Sequence, residues 1–534
     1  MLHQYRRQYQ SPDVMYQIQN ASNAAMDTAS IEAVTQQVLS TWNLNAPNQP
    51  SWATQQKGLL VYWDDQDSGD NAQVPWFNGG NFPLNPTASV NADQHSGGWK
   101  SLPGELDCSV DGFVWPKGQK LFIMNTSLAV TDELYKNQPV VQPFYVSDPS
   151  TYYNNPELVK RVIITFPGKP RDSWKYANIF NNALMWVYQN KDVYQIYPGE
   201  VVIIAPAVLN MDDQEAGGVA SNWVAYQKSN WQMGGSSYYP PLQNGSVTFF
   251  SALDKIIDSV MDRNWFPNVK QIVVAGHSLG GQASMRYALL RKQRRYDSNV
   301  KFWIGNPGSW TWLTNSTHVQ RPNYAPQNLK GEDCAADIDT WPYGLGGNTS
   351  KIGKYARKRV MADVPATVDL YRWRNIHYAL GLLDNGDGDT HCQAQYQGYS
   401  HLHRGSNFVK ALADMPDGWP ANHSLGYVAG VSHQDYEMIA ANSSMQFLFV
   451  KDFNTTFPDI YEPHSHSHTP KTKPAYSGDH TWETPIYRTI AWIILVACIA
   501  AVIAGLFICQ QCFKANANDW DRDYWEYDTK RRLL

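Results

Sequence analysis

The stretch KQIVVAGHSLGGQASMRYALL, residues 270–290, constrains this chain more than any other. A Val- and Ile-rich run enters Gly276-His277-Ser278-Leu279-Gly280 and leaves straight into a helical pattern. That order predicts a strand, a one-residue elbow and a helix. A serine at such an elbow projects its hydroxyl from a strained backbone, and flanking glycines remove the Cβ atoms that would clash. The same turn brings the Leu279 N–H and the start of the helix beside the serine, where they can stabilise a developing oxyanion. Ser278 is therefore the candidate nucleophile, and Leu279 the first candidate oxyanion donor.

One strand feeding a helix needs neighbours of the same kind. Short apolar runs at 59–63, 120–124, 161–166, 200–206, 270–276, 300–307 and 375–384 are rich in Val and Ile and bounded by turn residues, so they read as strands. Residues 246–264 and 280–296 read as helices between them. The alternation predicts an α/β fold, a mostly parallel sheet with helices on both faces. At 534 residues, 43% hydrophobic and 17% charged, the chain has material for a large core, which excludes wholesale disorder. A net charge of -5 and a pI near 6.3 offer no basic face, so nucleic acid is excluded as a partner. The cysteines at 108, 334, 392, 498, 509 and 512 make neither a disulfide scaffold nor a zinc pattern.

Serine is a poor nucleophile until a histidine takes its proton, and in this architecture acid and base follow the serine in chain order. Beyond the penultimate strand, LLDNGDGDTHC offers Asp384, Asp387 and Asp389. Asn306, after the strand at 300–305, is a neutral amide and cannot stabilise an imidazolium. Asp384, first beyond its strand, is the candidate acid. A calcium loop fails on register, since counting from Asp387 finds no Gly sixth and no Glu twelfth. The candidate bases are His391, His401, His403, His423 and His433. His433 closes a short apolar run just before a final helix and is preferred; the others fall in a polar excursion and read as surface histidines. In the loop Phe166 to Asp172, Pro170 has no N–H, which leaves Lys169, just after Gly168, as second oxyanion donor. Such chemistry needs no metal and no other cofactor.

Composition divides the rest of the chain. Residues 1–55, rich in Gln, Asn, Ser and Ala, are expected as a poorly ordered arm, 56–456 as the globular domain, and about 310–370 as a cap-like insertion over the site. Residues 457–488 form a Pro-, Ser- and His-rich stalk, in which His464, His466 and His468 lack the fixed geometry of a metal site. Residues 489–511 follow, with no charge between Arg488 and Lys514, and are expected to cross a membrane as a single helix; 512–534 form a short charged tail. Glycosylation acceptors occur at Asn20, Asn125, Asn244, Asn315, Asn348, Asn422, Asn442 and Asn454, and none after the span. This favours a type I single-pass protein with a luminal or extracellular domain. The N-terminal MLHQYRRQYQSPDVMYQIQN has no apolar signal region, so either the start lies further upstream, the reading favoured here, or the span inserts from the C-terminal end and leaves the globular part in the cytosol.

The blocks PGKPRDSWKY, Trp231 to Ser236, NWFPNVKQIVVAGHSLGGQASMRYA, NPGSWTWL, Leu382 to Arg404 and GVSHQDYEM occur in one order over 140–455. Together they resemble the α/β-hydrolase superfamily, and more narrowly a group of fungal membrane-anchored or secreted α/β-hydrolases. The resemblance implies a triad of Ser278, Asp384 and His433 and a serine hydrolase, carboxylesterase or lipase-like, acting on a small-molecule or lipid ester. The family's usual His-Gly oxyanion loop stands here as Pro167-Gly168. Cys334 and Cys392 flank the insertion and are the candidate disulfide in a luminal domain. The rival reading is a non-catalytic recognition or adhesion domain on the same scaffold. Such domains usually lose the nucleophile, whereas all three positions here are chemically intact.

Overall fold

Short β-branched runs that are apolar on both faces belong in the middle of a parallel sheet. The computed structural model places them there. It describes residues 12–41, 73–75, 81–83, 121–122, 127–147, 151–243, 247–262, 266–313, 334–347 and 351–456. One sheet is built from β1 (Leu121–Phe122), β2 (Ser127–Tyr135), β3 (Gln138–Ser147), β4 (Arg161–Phe166), β5 (Val201–Pro206), β6 (Gln271–His277), β7 (Val300–Gly305), β8 (Asn375–Gly381) and β9 (His423–Val428). The strand order is β9-β8-β7-β6-β4-β5-β3-β1, with β2 paired to β3. Every pairing from β9 to β5 is parallel. The pairings of β3 with β5, β2 and β1 are antiparallel. The expected strand at 59–63 lies outside the described residues.

Period-two alternation sends successive residues of each strand to opposite faces. Val162, Ile164, Ile272 and Val274 join one core, and Ile163, Val273 and Ala275 join another. The helices are α1 (Pro12–Ala24), α2 (Thr28–Thr41), α3 (Ser173–Gln189), α4 (Phe249–Val260), α5 (Leu279–Leu290), α6 (Val364–Trp373), α7 (His401–Ala413) and α8 (Asp435–Ala440). Ile18 of α1, Ile31 of α2, Leu253 of α4, Ala283 of α5 and Phe408 of α7 pack in the first core. Phe180 of α3 and Ile439 of α8 pack in the second. The sheet is thus clothed on both faces, as α/β architecture requires.

Three expectations need correction. Residues 12–41 are not a loose arm: they form α1 and α2, with Ile18, Ile31 and Val38 fully buried. The helix after the elbow stops at Leu290 rather than near 296, because Arg291 turns inward to pair with Asp254 at 2.5 Å and Asp297 at 3.0 Å. Residues 314–333 and 348–350 of the expected cap lie outside the described residues, and the described stretch 351–373 is anchored away from Ser278 at Arg359. The Arg359 guanidinium bonds the Leu290 carbonyl at the far end of α5, about 17 Å from the elbow at 1.5 Å rise per residue, and α6 leads directly into β8. The expected stalk, membrane span and tail lie outside the described residues. Among those described, no helix is long and apolar enough to cross a membrane.

Candidate active site

β6 runs between β4 and β7 and delivers the chain to Ser278. There φ is +58° and ψ -123°, a conformation that costs a residue with a Cβ roughly 1–3 kcal/mol. Packing on both sides enforces it. Ser278 N donates to the Gly305 carbonyl at 2.9 Å. A Cβ on Gly276 would run into the Gly280 carbonyl, and one on Gly280 would lie 2.7 Å from both the Phe166 and Pro167 carbonyl oxygens. Only glycines let the elbow close this tightly.

His433 reaches Ser278 from the loop after β9. Its Nε2 lies 2.9 Å from Ser278 Oγ, and its Nδ1 lies 2.7 Å from Asp384 Oδ2. A carboxylate only accepts, so Nδ1 carries the hydrogen and Nε2 presents its lone pair to the serine hydroxyl. Burial alone would push the Asp384 carboxyl up. The imidazoles of His401 and His433 outweigh it and hold the group well below the usual carboxylate range. Asp384 is therefore ionised at neutral pH. Asp389, another of the three carboxylates in this loop, is engaged elsewhere, accepting from Ser309 Oγ at 2.7 Å and meeting His391 Nδ1 at 2.5 Å.

Two residues beside this chain were not legible as site residues. Asn306, fully buried, accepts from Gly381 N at 2.8 Å and donates to the Ser432 carbonyl at 2.9 Å. It ties the end of β8, three residues before Asp384, to the residue before His433. The amide that disqualifies it as an acid suits it as a bridge, because it donates and accepts at once. His401, expected on the surface, is 3% exposed. Its Nδ1 lies 3.1 Å from Asp384 Oδ1 and 3.0 Å from the Gly386 carbonyl, and its ring centroid lies 4.1 Å from that of His433. His277 also packs on His433, at 4.6 Å. His403 and His423 are likewise buried rather than superficial, whereas the His391 side chain is exposed. What singles these histidines out is their position after β8 and on β9, beside strands that close the sheet.

Leu279 is the first residue of α5, in the turn whose N–H groups have no intrahelical acceptor. The Lys169 loop lies against the elbow through the Phe166 and Pro167 carbonyls, with the Lys169 side chain exposed. That loop is braced on both sides. Arg171 pairs with the buried Asp213, and Lys175 of α3 pairs with Asp435 at 2.8 Å, two residues beyond His433. Among the described residues, Asp384, His401 and His433 offer ligand atoms within 4.8 Å of one another. Both Nδ1 atoms face the ionised carboxylate, so each carries a proton that a metal would have to displace. The Cys334 and Cys392 sulfurs are 2.00 Å apart, a disulfide. Asn20, Asn422, Asn442 and Asn454 are exposed, while Asn125, Asn244, Asn315 and Asn348 lie outside the described residues.

No family model and no curated protein matches this chain, so the narrower fungal resemblance has no matched relative behind it. Solved structures align at low identity. Poly(aspartic acid) hydrolase-1 from Sphingomonas sp. KT-1 is 16% identical, over 65% of this chain and 99% of its own, with a TM-score of 0.38. A poly(3-hydroxybutyrate) depolymerase from Bordetella parapertussis is 15% identical over 62% and 90%, with a TM-score of 0.36. A siderophore hydrolase from Aspergillus nidulans is 10% identical over 60% and 92%, with a TM-score of 0.32. At these values the likeness carries no functional argument, and the strand order and side-chain geometry of the chain itself must carry it.

Proposed function

We propose that this chain is a serine hydrolase, carboxylesterase or lipase-like, that cleaves a carboxylic ester through an acyl-enzyme on Ser278. The observation that carries the reading is the unbroken chain from a strained Ser278 hydroxyl through His433 to a buried, ionised Asp384, at 2.9 and 2.7 Å. Ser278 Oγ attacks the ester carbonyl as His433 Nε2 takes its proton. The carbonyl oxygen becomes an oxyanion, received by the Leu279 and Lys169 N–H groups. As the intermediate collapses, the C–O bond to the alcohol breaks and His433 returns the proton to the departing oxygen. Water then repeats the cycle on the acyl-enzyme, giving its proton to His433 and releasing the acid and free Ser278. Asp384 keeps Nδ1 protonated and stabilises the imidazolium formed in each half.

A fluorophosphonate probe tests this directly, since phosphonylated serine mimics the tetrahedral intermediate. Wild-type protein should label covalently, and Ser278→Ala should lose the label while keeping its thermal midpoint. A folded wild type that stays unlabelled overturns the hydrolase reading in favour of a recognition domain on the same scaffold.

A further inference from the structure

A triad carboxylate has two oxygens, and a single histidine occupies one. The second, when buried, needs its own donor or costs roughly 1–3 kcal/mol or more. In this chain Asp384 is fully buried, and its second oxygen faces the imidazole nitrogen of another element, His401 at the start of α7. His401 Nδ1 has two close neighbours, Asp384 Oδ1 at 3.1 Å and the Gly386 carbonyl at 3.0 Å. Both are acceptors, so Nδ1 carries the hydrogen; it bonds the Gly386 carbonyl, and Asp384 Oδ1 lies beside it without a hydrogen bond of its own.

The placement of that nitrogen is over-determined. His401 N donates to the Gly386 carbonyl and Leu402 N to the Asp384 carbonyl, each at 3.1 Å. Ser400 caps the helix by accepting from His403 N at 3.2 Å. A Cβ on Gly388 would sit 2.7 Å from His401 Nε2, so the acid-bearing loop closes around the ring.

We propose that His401 is a positioning residue for the hydrolysis, its Nδ1–H bonding the Gly386 carbonyl and at the same time standing 3.1 Å from the Asp384 oxygen that His433 leaves free. The inference rests on the hydrolase reading. With an imidazole N–H beside each oxygen, the carboxylate plane is held toward His433, and its charge is divided between two rings. Burial holds His401 below the ordinary imidazole value, so it works as a neutral donor. The other charged or titratable groups acting on it are Asp384, His433 and, one turn along α7, Arg404.

The test compares His401→Phe, which keeps a ring without a donor, with His401→Asn, whose side-chain amide can donate from near the Nδ1 position. On a p-nitrophenyl ester, His401→Phe should lower kcat roughly 10- to 100-fold with KM little changed. The acidic limb of its kcat/KM profile should move up by roughly half a pH unit or more, because the undivided carboxylate charge then holds the His433 proton more tightly. His401→Asn should restore both. Imidazole nitrogen shifts of 15N-histidine protein should report His401 protonated at Nδ1 at neutral pH. A folded His401→Phe variant with wild-type kcat and acidic limb overturns the proposal; so does an Asn variant as impaired as Phe, or an Nε2-protonated His401. Should the Phe variant not fold, the Asn variant and the nitrogen shifts decide. An inert wild type strikes the hydrolase reading, whereas an active wild type with unmoved variants strikes this inference alone.

Discussion

Ser278 and Asp384 each sit where an isolated residue would not. The serine holds a positive φ because Gly276 and Gly280 leave no room for another path, and the aspartate stays charged out of water because two rings face its oxygens. That second arrangement makes a sharp test at the residue scale. Asp384→Asn fills the same space but presents a neutral amide, which can turn the ring to the wrong tautomer and cannot stabilise an imidazolium. Turnover should fall by roughly 10³ to 10⁴ while circular dichroism stays that of the wild type. Near-normal turnover would remove Asp384 from the relay, and Asp389 is poorly placed to replace it because Ser309 and His391 already hold it.

At the scale of elements, α1 and α2 do a job that their Gln- and Asn-rich composition does not advertise. β9 is an edge strand, and exposed edges invite pairing with other chains. Ser22 Oγ accepts from Tyr427 N at 2.9 Å, and Gln19 Oε1 accepts from Ala429 N at 2.8 Å. Side chains of α1 therefore stand where a further strand would otherwise bond, and Thr28 of α2 accepts from Trp419 N at 2.8 Å. Ser22→Ala should destabilise by about 1–3 kcal/mol through an orphaned N–H, and Ile18→Ala by about 2–5 kcal/mol through lost burial. Urea unfolding measures both. Two midpoints equal to the wild type would show the hairpin to be peripheral.

For the whole molecule, buried imidazoles set the response to acid. Burial holds His377 at about 3, His403 at about 4 and His423 at about 3, against about 6.5 in an unfolded chain. These are depressed folded values, so below about pH 6.5 the unfolded chain takes up protons that the folded one refuses, and stability falls. Each group contributes about 1.4 kcal/mol per pH unit in that window, so three together give roughly 4 kcal/mol per unit between about pH 6 and pH 4. Asp384 adds a loss of the same sign at lower pH, since its folded value is depressed too and its contribution fades once the unfolded carboxylate protonates near pH 4. Urea midpoints should therefore drop steeply from pH 7 to pH 5. A flat profile over that range would mean these rings are already charged in the fold.

Local pattern determined much of this architecture by itself. The runs at 161–166, 200–206, 270–276, 300–307 and 375–384 carry their strands because β-branched residues suit an extended backbone buried on both faces. The elbow was legible because its glycines answer a steric demand within five residues, and chain order together with position after a strand and before a helix singled out Asp384 and His433, which meet at 2.7 Å. Tertiary structure decided the rest. Ile18 and Ile31 lie among polar neighbours and become core residues only where a sheet face waits for them. His401 looks like any histidine in a polar stretch until the chain folds its ring onto Asp384, and Asn306 becomes a bridge only when Ser432, 126 residues away, comes within 2.9 Å. Propensity acts through near neighbours along the chain. The partner of a buried polar atom is chosen by the closure of long loops, and no short stretch of sequence contains that information.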